Sequence, residues 1–329
     1  MSLRTVLVTD YTWDSLARES AILAEVGAEL VVARTAEEAE LVELAVNADA
    51  ILTCFARVTA AVVQAGSRLK VIGRYGIGVD NIAVEEATRR GIPVTNVPAY
   101  CTNEVAEHVL ALIFCLARGI HRFDAAVHAG DWSMAAGLPI RRIAGRTLGV
   151  IGFGRIGRAV TERARALGLR VVVHSPGTPP EEITAMGADP VELMEVATRA
   201  DYVTLHLPAT PATTDLIDAA FLASMKPDAY LINAARGALV DQRALAAALR
   251  ENRIAGAGVD VFVPERLAPD HELMTQPRLL ATPHVAFYSE ESVAELAALA
   301  AQNVATVLAG GRAQDTINPQ VYEERKVMA

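Results

Sequence analysis

Thr147-Leu148-Gly149-Val150-Ile151-Gly152-Phe153-Gly154-Arg155-Ile156-Gly157 is the stretch that decides the fold. The apolar run Leu148–Ile151 has the length and composition of a buried strand, and the helix opened behind the glycines is expected to run through Arg163. A Gly-x-Gly-x-x-Gly spacing is weak by itself; a strand before it and a helix after it give it meaning. The first glycine permits a tight turn. The second lets backbone approach a pyrophosphate, and the third lets helix and strand pack closely. Amides at the helix N-terminus then face the phosphates. Gly152, Gly154 and Gly157, with Arg155 and Ile156 between them, therefore read as a dinucleotide-binding turn.

In such a unit the end of the next strand carries an acidic residue for the ribose 2′-hydroxyl. Here the strand Arg170–His174 is followed by Ser175. A neutral Ser does not reject a 2′-phosphate as Asp would, yet no Arg follows to bind one, and Glu181 and Glu182 lie just downstream. NAD is favoured as cofactor and NADP is left open.

Outward from this unit the alternation continues. Tyr202–Leu205, Tyr230–Asn233, Gly256–Val261 and Leu279–Thr282 read as further strands, and Val6–Thr9, Leu30–Ala33, Ala50–Thr53 and Val71–Gly73 as an earlier series. Strands alternating with helical patterns predict parallel sheets with right-handed crossovers. Between the series, near Pro93–Pro98, the pattern stops. A long apolar helix follows, carrying Val105, Val109, Leu112, Ile113 and Leu116 on one side. The last helix is expected from about Ser289 to Leu308.

Composition agrees. The 329 residues suffice for two domains, and 52% hydrophobic content with only 5% aromatics requires aliphatic cores, which suits α/β layers. A net charge of −9 disfavours nucleic acid as a partner. Arg141, Arg142 and Arg146 cluster, but read as solvated charges flanking a strand. Cys54, Cys101 and Cys115 share no metal-ligand spacing and read as small buried hydrophobes, so no metal is expected. Met1–Asp10 runs into a strand rather than a secretion signal, and the longest apolar run, Val109–Ala117, is too short to span a bilayer. The expected protein is cytoplasmic, with no membrane partner.

Three segments fall at the C-terminal ends of late strands, where open α/β sheets bind ligands. They are Asn233-Ala234-Ala235-Arg236-Gly237, Gly258-Val259-Asp260-Val261-Phe262 with Glu265 close behind, and Thr282-Pro283-His284. A guanidinium can pair bidentately with a carboxylate. An imidazolium can donate a proton to a carbonyl oxygen, and a neighbouring Glu favours the charged ring. Taken singly, Arg236 is equally a surface charge, Glu265 a loop acid and His284 a turn residue. Their joint occurrence downstream of the glycine turn points to reduction of a 2-keto acid.

In this order Gly-Phe-Gly-Arg-Ile-Gly, His206-Leu207-Pro208, Asn233-Ala-Ala-Arg-Gly, Gly-Val-Asp260-Val-Phe with Glu265, and Pro283-His284 resemble the D-isomer-specific 2-hydroxyacid dehydrogenases. The likeness extends to Gly76-Ile77-Gly78-Val79-Asp80-Asn81. It implies two doubly wound parallel-sheet domains. A Rossmann cofactor domain (99–287) is inserted in a smaller flavodoxin-like substrate domain (1–98 and 288–329). It implies a catalytic trio of Arg236, Glu265 and His284, and an Asp260 facing the nicotinamide carboxamide. Val105 would pack on the nicotinamide, with His206, Pro208, Thr213 and Ala234 beside the cofactor. Gly76, Ile77 and Gly78 would offer N–H groups to the substrate carboxylate.

Arg57 reads either as a substrate contact or as a solvated loop charge, and Tyr75 as a candidate pocket-lining ring. Thr210 and Thr213 are either cofactor contacts or ordinary turn caps. Trp132 lies where the family exchanges an arm between subunits, so a homodimer through the cofactor domain is expected. The tail Ala286-Phe287-Tyr288-Ser289-Glu290-Glu291-Ser292 is similar to the branch of the C-terminal-binding proteins, which carry Trp where this chain has Phe287. Arg266 departs from the Pro usual after the catalytic Glu. The resemblance implies reversible, NAD-dependent interconversion of 2-keto and 2-hydroxy acids. A cofactor-sensing dimer that recruits other proteins is the alternative. Formate oxidation is disfavoured by Glu265, because that chemistry pairs the His with an amide.

Overall fold

A computed structural model describes residues 3–323, so the chain ends included in the expected substrate domain (1–2 and 324–329) lie outside it. The chain divides into two compact units: one runs to Tyr100 and resumes at Ser289, the other spans Cys101–Tyr288.

The first unit alternates β1 (Arg4–Val8), α1 (Ala17–Ala24), β2 (Ala28–Val32), α2 (Glu38–Ala45), β3 (Ala50–Thr53), α3 (Ala60–Ala65), β4 (Val71–Arg74), α4 (Val84–Arg89) and β5 (Val94–Thr95). All pairings are parallel in the order β2-β1-β3-β4-β5, the flavodoxin-like arrangement. Strands β3 and β4 are buried throughout and consist mainly of aliphatic residues, as a sheet covered on both faces requires. One face is sealed by Leu41, Val62, Val63 and their neighbours. The short strand β5 escapes the sequence pattern because two residues carry no periodicity; it is held by Asn318, whose Oδ1 accepts from Val94 N at 2.7 Å.

In the second unit, helices α5 (Thr102–Arg118) and α6 (Ile120–His128) precede β6 (Thr147–Ile151), α7 (Arg155–Ala166), β7 (Arg170–His174), α8 (Pro180–Ala185), β8 (Asp189–Pro190) and α9 (Leu193–Arg199). After them come β9 (Tyr202–Leu205), α10 (Ala219–Ser224), β10 (Tyr230–Asn233), α11 (Gln242–Arg250), β11 (Gly256–Val259) and β12 (Leu279–Ala281). Their order is β12-β11-β10-β9-β6-β7-β8, all parallel. Counting from β6, this is the doubly wound order that reverses between β6 and β9. The core on one face gathers Val196, Val203, Phe221, Leu231, Leu245 and Leu249. Helix α12 (Glu290–Leu308) returns to the first unit, where it packs on β3 and β4. Ser289 caps it by accepting from Ser292 N at 2.9 Å.

Of the arginine cluster, Arg141 and Arg142 are exposed as expected, while Arg146 is half-buried. Arg146 pairs with Asp201 at 3.1 Å and Asp228 at 3.4 Å, and Arg141 pairs with Asp228. Asp201 also takes Lys226 Nζ at 3.0 Å and Thr147 N at 2.8 Å. This network fastens the N-terminal ends of β6, β9 and β10, the edge opposite the glycine turn. Cys54 and Cys101 are buried and Cys115 is half-buried, with no disulfide among the three. No helix among the described residues is long and apolar enough to cross a membrane.

Candidate active site

The glycine turn lies directly behind β6. Gly152 has φ +94, and a Cβ there would come within 2.3 Å of His206 O; a Cβ on Gly157 would come within 2.3 Å of Gly152 O. These two glycines are required by the protein's own packing. Gly154 differs. Its backbone is extended, it is the cap position of α7, and a Cβ on it would meet nothing within 4 Å. Open space over a helix N-terminus, with no side chain capping it, is what a pyrophosphate needs. The residues present therefore fit a dinucleotide. Arg155 and Ile156 form the first turn of α7 behind it.

Around this turn the other expected contacts sort themselves. Ser175 pairs its hydroxyl with Thr178 Oγ1 at 2.9 Å, so a neutral pair stands where a carboxylate is usual. The nearby Arg158 is already committed, bonded to Glu182 Oε2 at 2.6 Å and Phe153 O at 3.1 Å. The His206 imidazole turns inward to Thr204 Oγ1 at 3.0 Å, and burial pushes it down to about 3. Its contribution to the turn is thus its backbone against Gly152. Thr213 donates to Pro208 O at 2.8 Å and accepts Thr210 N at 2.8 Å, the capping role of the two alternatives. Val105 is buried on α5.

The acid–base groups rise from three adjacent strand ends. Behind β10, Asn233 accepts Ala235 N at 3.1 Å and donates to Arg236 O at 2.8 Å, shaping the loop of Ala234 and Arg236. A Cβ on Gly237 would fall within 2.4 Å of the Phe262 backbone, so only glycine lets this loop press against the one leaving β11. In that second loop the Gln242 amide bonds Val263 at both ends, donating to its O at 2.5 Å and accepting its N at 3.3 Å, just before Glu265. Behind β12 comes His284, whose Nδ1 lies 3.1 Å from Glu265 Oε1.

His284 itself sits at φ +55, a left-handed conformation uncommon outside glycine. Asp260 maintains it. Its carbonyl accepts His284 N at 2.7 Å. Its carboxylate accepts Thr282 Oγ1 at 2.5 Å, Val285 N at 3.0 Å and Ala286 N at 2.9 Å. The residue is 0% exposed. The carboxylate that the resemblance directs to the nicotinamide is thus committed here to the turn. Phe287 stands edge-on to the His284 ring, with centroids 6.4 Å apart. Asn233, Thr282 and Gln242 are missed as functional residues by sequence reasoning, because their roles are bonds to backbone that no spacing reveals.

In the first unit, Gly76 has φ +144 and would clash with the Arg74 side chain if it bore a Cβ. Its N–H donates to Arg74 O at 3.0 Å, which removes it from the expected set of carboxylate donors. Ile77 and Gly78 remain in a turn anchored by Asn96 Nδ2 on Ile77 O at 2.7 Å. Tyr75 is 1% exposed, edge-on to Trp13 with centroids 4.8 Å apart, and so supports the turn from beneath rather than lining a pocket. Arg57 is exposed in the loop after β3.

Residues 110–286 match the description "D-isomer specific 2-hydroxyacid dehydrogenase, NAD binding domain". The chain belongs to the D-isomer-specific 2-hydroxyacid dehydrogenases. It is 36% identical over 291 residues to a glyoxylate reductase of Thermococcus litoralis, covering 85% of this chain and 87% of that one. It is 38% identical over 323 residues to a D-3-phosphoglycerate dehydrogenase of Methanocaldococcus jannaschii, covering 97% of this chain but only 60% of the relative's length. Among solved structures, a D-lactate dehydrogenase from Aquifex aeolicus, complexed with NAD and lactic acid, superposes with a TM-score of 0.86 at 27% identity. That match covers 95% of this chain and 99% of the other. The family assignment and the two parallel-sheet domains thus agree with the sequence reading. These three relatives are named as dehydrogenases or reductases, and none supports the protein-recruiting alternative.

Proposed function

We propose that this chain is a D-2-hydroxyacid dehydrogenase that interconverts a small 2-keto acid and its 2-hydroxy acid with a nicotinamide dinucleotide. The observation that carries the reading is the His284–Glu265 pair, 3.1 Å apart at the strand-end edge that also bears the glycine turn. When bound, the cofactor supplies or accepts the hydride. Everything else falls to the protein. Gly154 at the start of α7 receives the pyrophosphate in a turn that Gly152 and Gly157 allow to close, and Ser175 with Thr178 meets the ribose edge. With Nδ1 held by Glu265, proton delivery to the carbonyl oxygen is assigned to His284 Nε2, and the Glu265 carboxylate stabilises the imidazolium. Arg236 pairs with the substrate carboxylate.

The active protein is proposed to be a cytoplasmic homodimer through the cofactor domain. Helix α6 buries no residue, and Trp132 and Met134 are 83% and 77% exposed close by, an apolar face that a second copy would cover.

The test is a panel of glyoxylate, hydroxypyruvate and longer 2-keto acids, each with NADH and with NADPH. Consumption of reduced cofactor with one or more of them supports the proposal. No turnover on any of them, combined with NADH-dependent dimerisation, would support the recruiting alternative instead. The neutral Ser175–Thr178 pair, with Arg158 committed elsewhere, leads us to expect that NADPH is tolerated beside NADH.

A further inference from the structure

One side chain outside the trio touches its support. His108 projects from α5, which packs on β10 and β11, and its side chain is 21% exposed. Its Nε2 lies 3.0 Å from Thr282 Oγ1 and 3.7 Å from Asp260 Oδ1. The Thr282 hydroxyl has a single proton and gives it to Asp260 Oδ1. Its lone pairs are then left to accept, so His108 must donate from Nε2–H. This fixes the tautomer of His108 and makes a directed chain: His108 to Thr282, Thr282 to Asp260, and Asp260 accepting the amides of His284, Val285 and Ala286.

That chain ends on a strained element. A non-glycine residue at φ +55 is strained and persists only where its surroundings over-determine it. Asp260 supplies the bonds that hold His284 there. The oxygen of Asp260 that serves Val285 is the one oriented by Thr282 and faced by His108. We propose that His108 is a positioning residue for His284, acting through Thr282 and Asp260 to hold the 282–286 turn so that the imidazole keeps its bond to Glu265. The proposal rests on the reading of His284 as the acid–base group.

The experiment is a double-mutant cycle on the full-length protein, reading kcat and KM for glyoxylate or hydroxypyruvate with NADH, NADH affinity by fluorescence titration, and the thermal midpoint. His108→Phe removes the donor while filling the space, and Thr282→Val removes the relay hydroxyl at nearly equal volume. His108→Gln keeps an N–H at comparable reach. A displaced catalytic group costs roughly a hundredfold in rate. We therefore expect His108→Phe and Thr282→Val each to lower kcat about ten- to a hundredfold with NADH affinity nearly unchanged, and His108→Gln to recover most of the rate. In a His284→Ala background, His108→Phe should add no further loss, because nothing remains to be positioned. Full additivity in that background would overturn the proposal, as would wild-type kcat in both His108→Phe and Thr282→Val. Wild-type turnover by His284→Ala alone would instead refute the acid–base reading beneath it. If His108→Phe does not fold, Thr282→Val carries the same cycle.

Discussion

The backbone N–H of His284 donates to the carbonyl of Asp260 at 2.7 Å, while the Asp260 carboxylate takes the next two amides, so one buried residue fixes the turn on both sides of the imidazole. Asp260→Asn keeps the shape but must turn an NH2 group toward one of these donors. Leaving a buried donor unsatisfied costs about 1–3 kcal/mol. The variant should melt earlier and lose kcat by more than its NADH affinity falls, as measured by thermal melts, steady-state rates and titration. Unchanged rates would show that the turn does not depend on the carboxylate.

The glycines of the dinucleotide turn divide into packing and ligand positions, and alanine substitutions separate them. Gly157→Ala places a Cβ 2.3 Å from Gly152 O and should lower the thermal midpoint. Gly154→Ala meets open space, so its midpoint should stay near wild type while NADH binding weakens. Normal NADH affinity in Gly154→Ala would remove the pyrophosphate from that position.

Glu19 is the titrating group most exposed to a pH test. It is 0% exposed, its Oε1 accepts Trp13 Nε1 at 3.0 Å, and its Oε2 has no partner among the described residues. Burial, only partly offset by that hydrogen bond and others, raises its carboxyl above the ordinary glutamate value of 4.5. Folding therefore favours the protonated form. The resulting stability is fully present below 4.5 and is lost as pH rises through the raised value. Relative to Glu19→Gln, the wild-type thermal midpoint should fall as pH climbs from 4.5. Parallel midpoint curves for the two proteins would contradict this.

Burial also pushes the Cys54 thiol up to about 12. Reactivity requires the thiolate. Brief alkylation of the native protein at pH 8, read by peptide mass spectrometry, should therefore leave Cys54 unmodified while the half-buried Cys115 reacts first. Rapid labelling of Cys54 would contradict its placement.

What the sequence reveals follows from how each feature is encoded. Strands Thr147–Ile151, Arg170–His174, Tyr202–Leu205 and Tyr230–Asn233 match the structure residue for residue, because buried parallel strands are written as short aliphatic runs between helical periods. The two-residue strands β5 and β8 are illegible for the opposite reason: pairing to a neighbour, not local pattern, creates them. At the site, His284 and Glu265 are visible as residue types at strand ends, and the structure brings them together. The support under them is not visible. His108 reads as one more residue of an apolar helix, and nothing in the order of residues shows that Thr282 and Asp260 will meet it. Tyr75 and Gly76 mislead similarly, since sequence places them near the site but cannot show that a ring turns inward or that an N–H is already bonded.

The proposed proton transfer by His284, with the dinucleotide held by the glycine turn of the same unit, is the step most open to test. It is tested most directly by comparing wild type and His284→Ala for keto-acid reduction with NADH, alongside NADH affinity by fluorescence titration. Loss of general acid–base catalysis predicts a kcat lower by about two to four orders of magnitude with NADH affinity retained. A His284→Ala protein that turns over at the wild-type rate would contradict it.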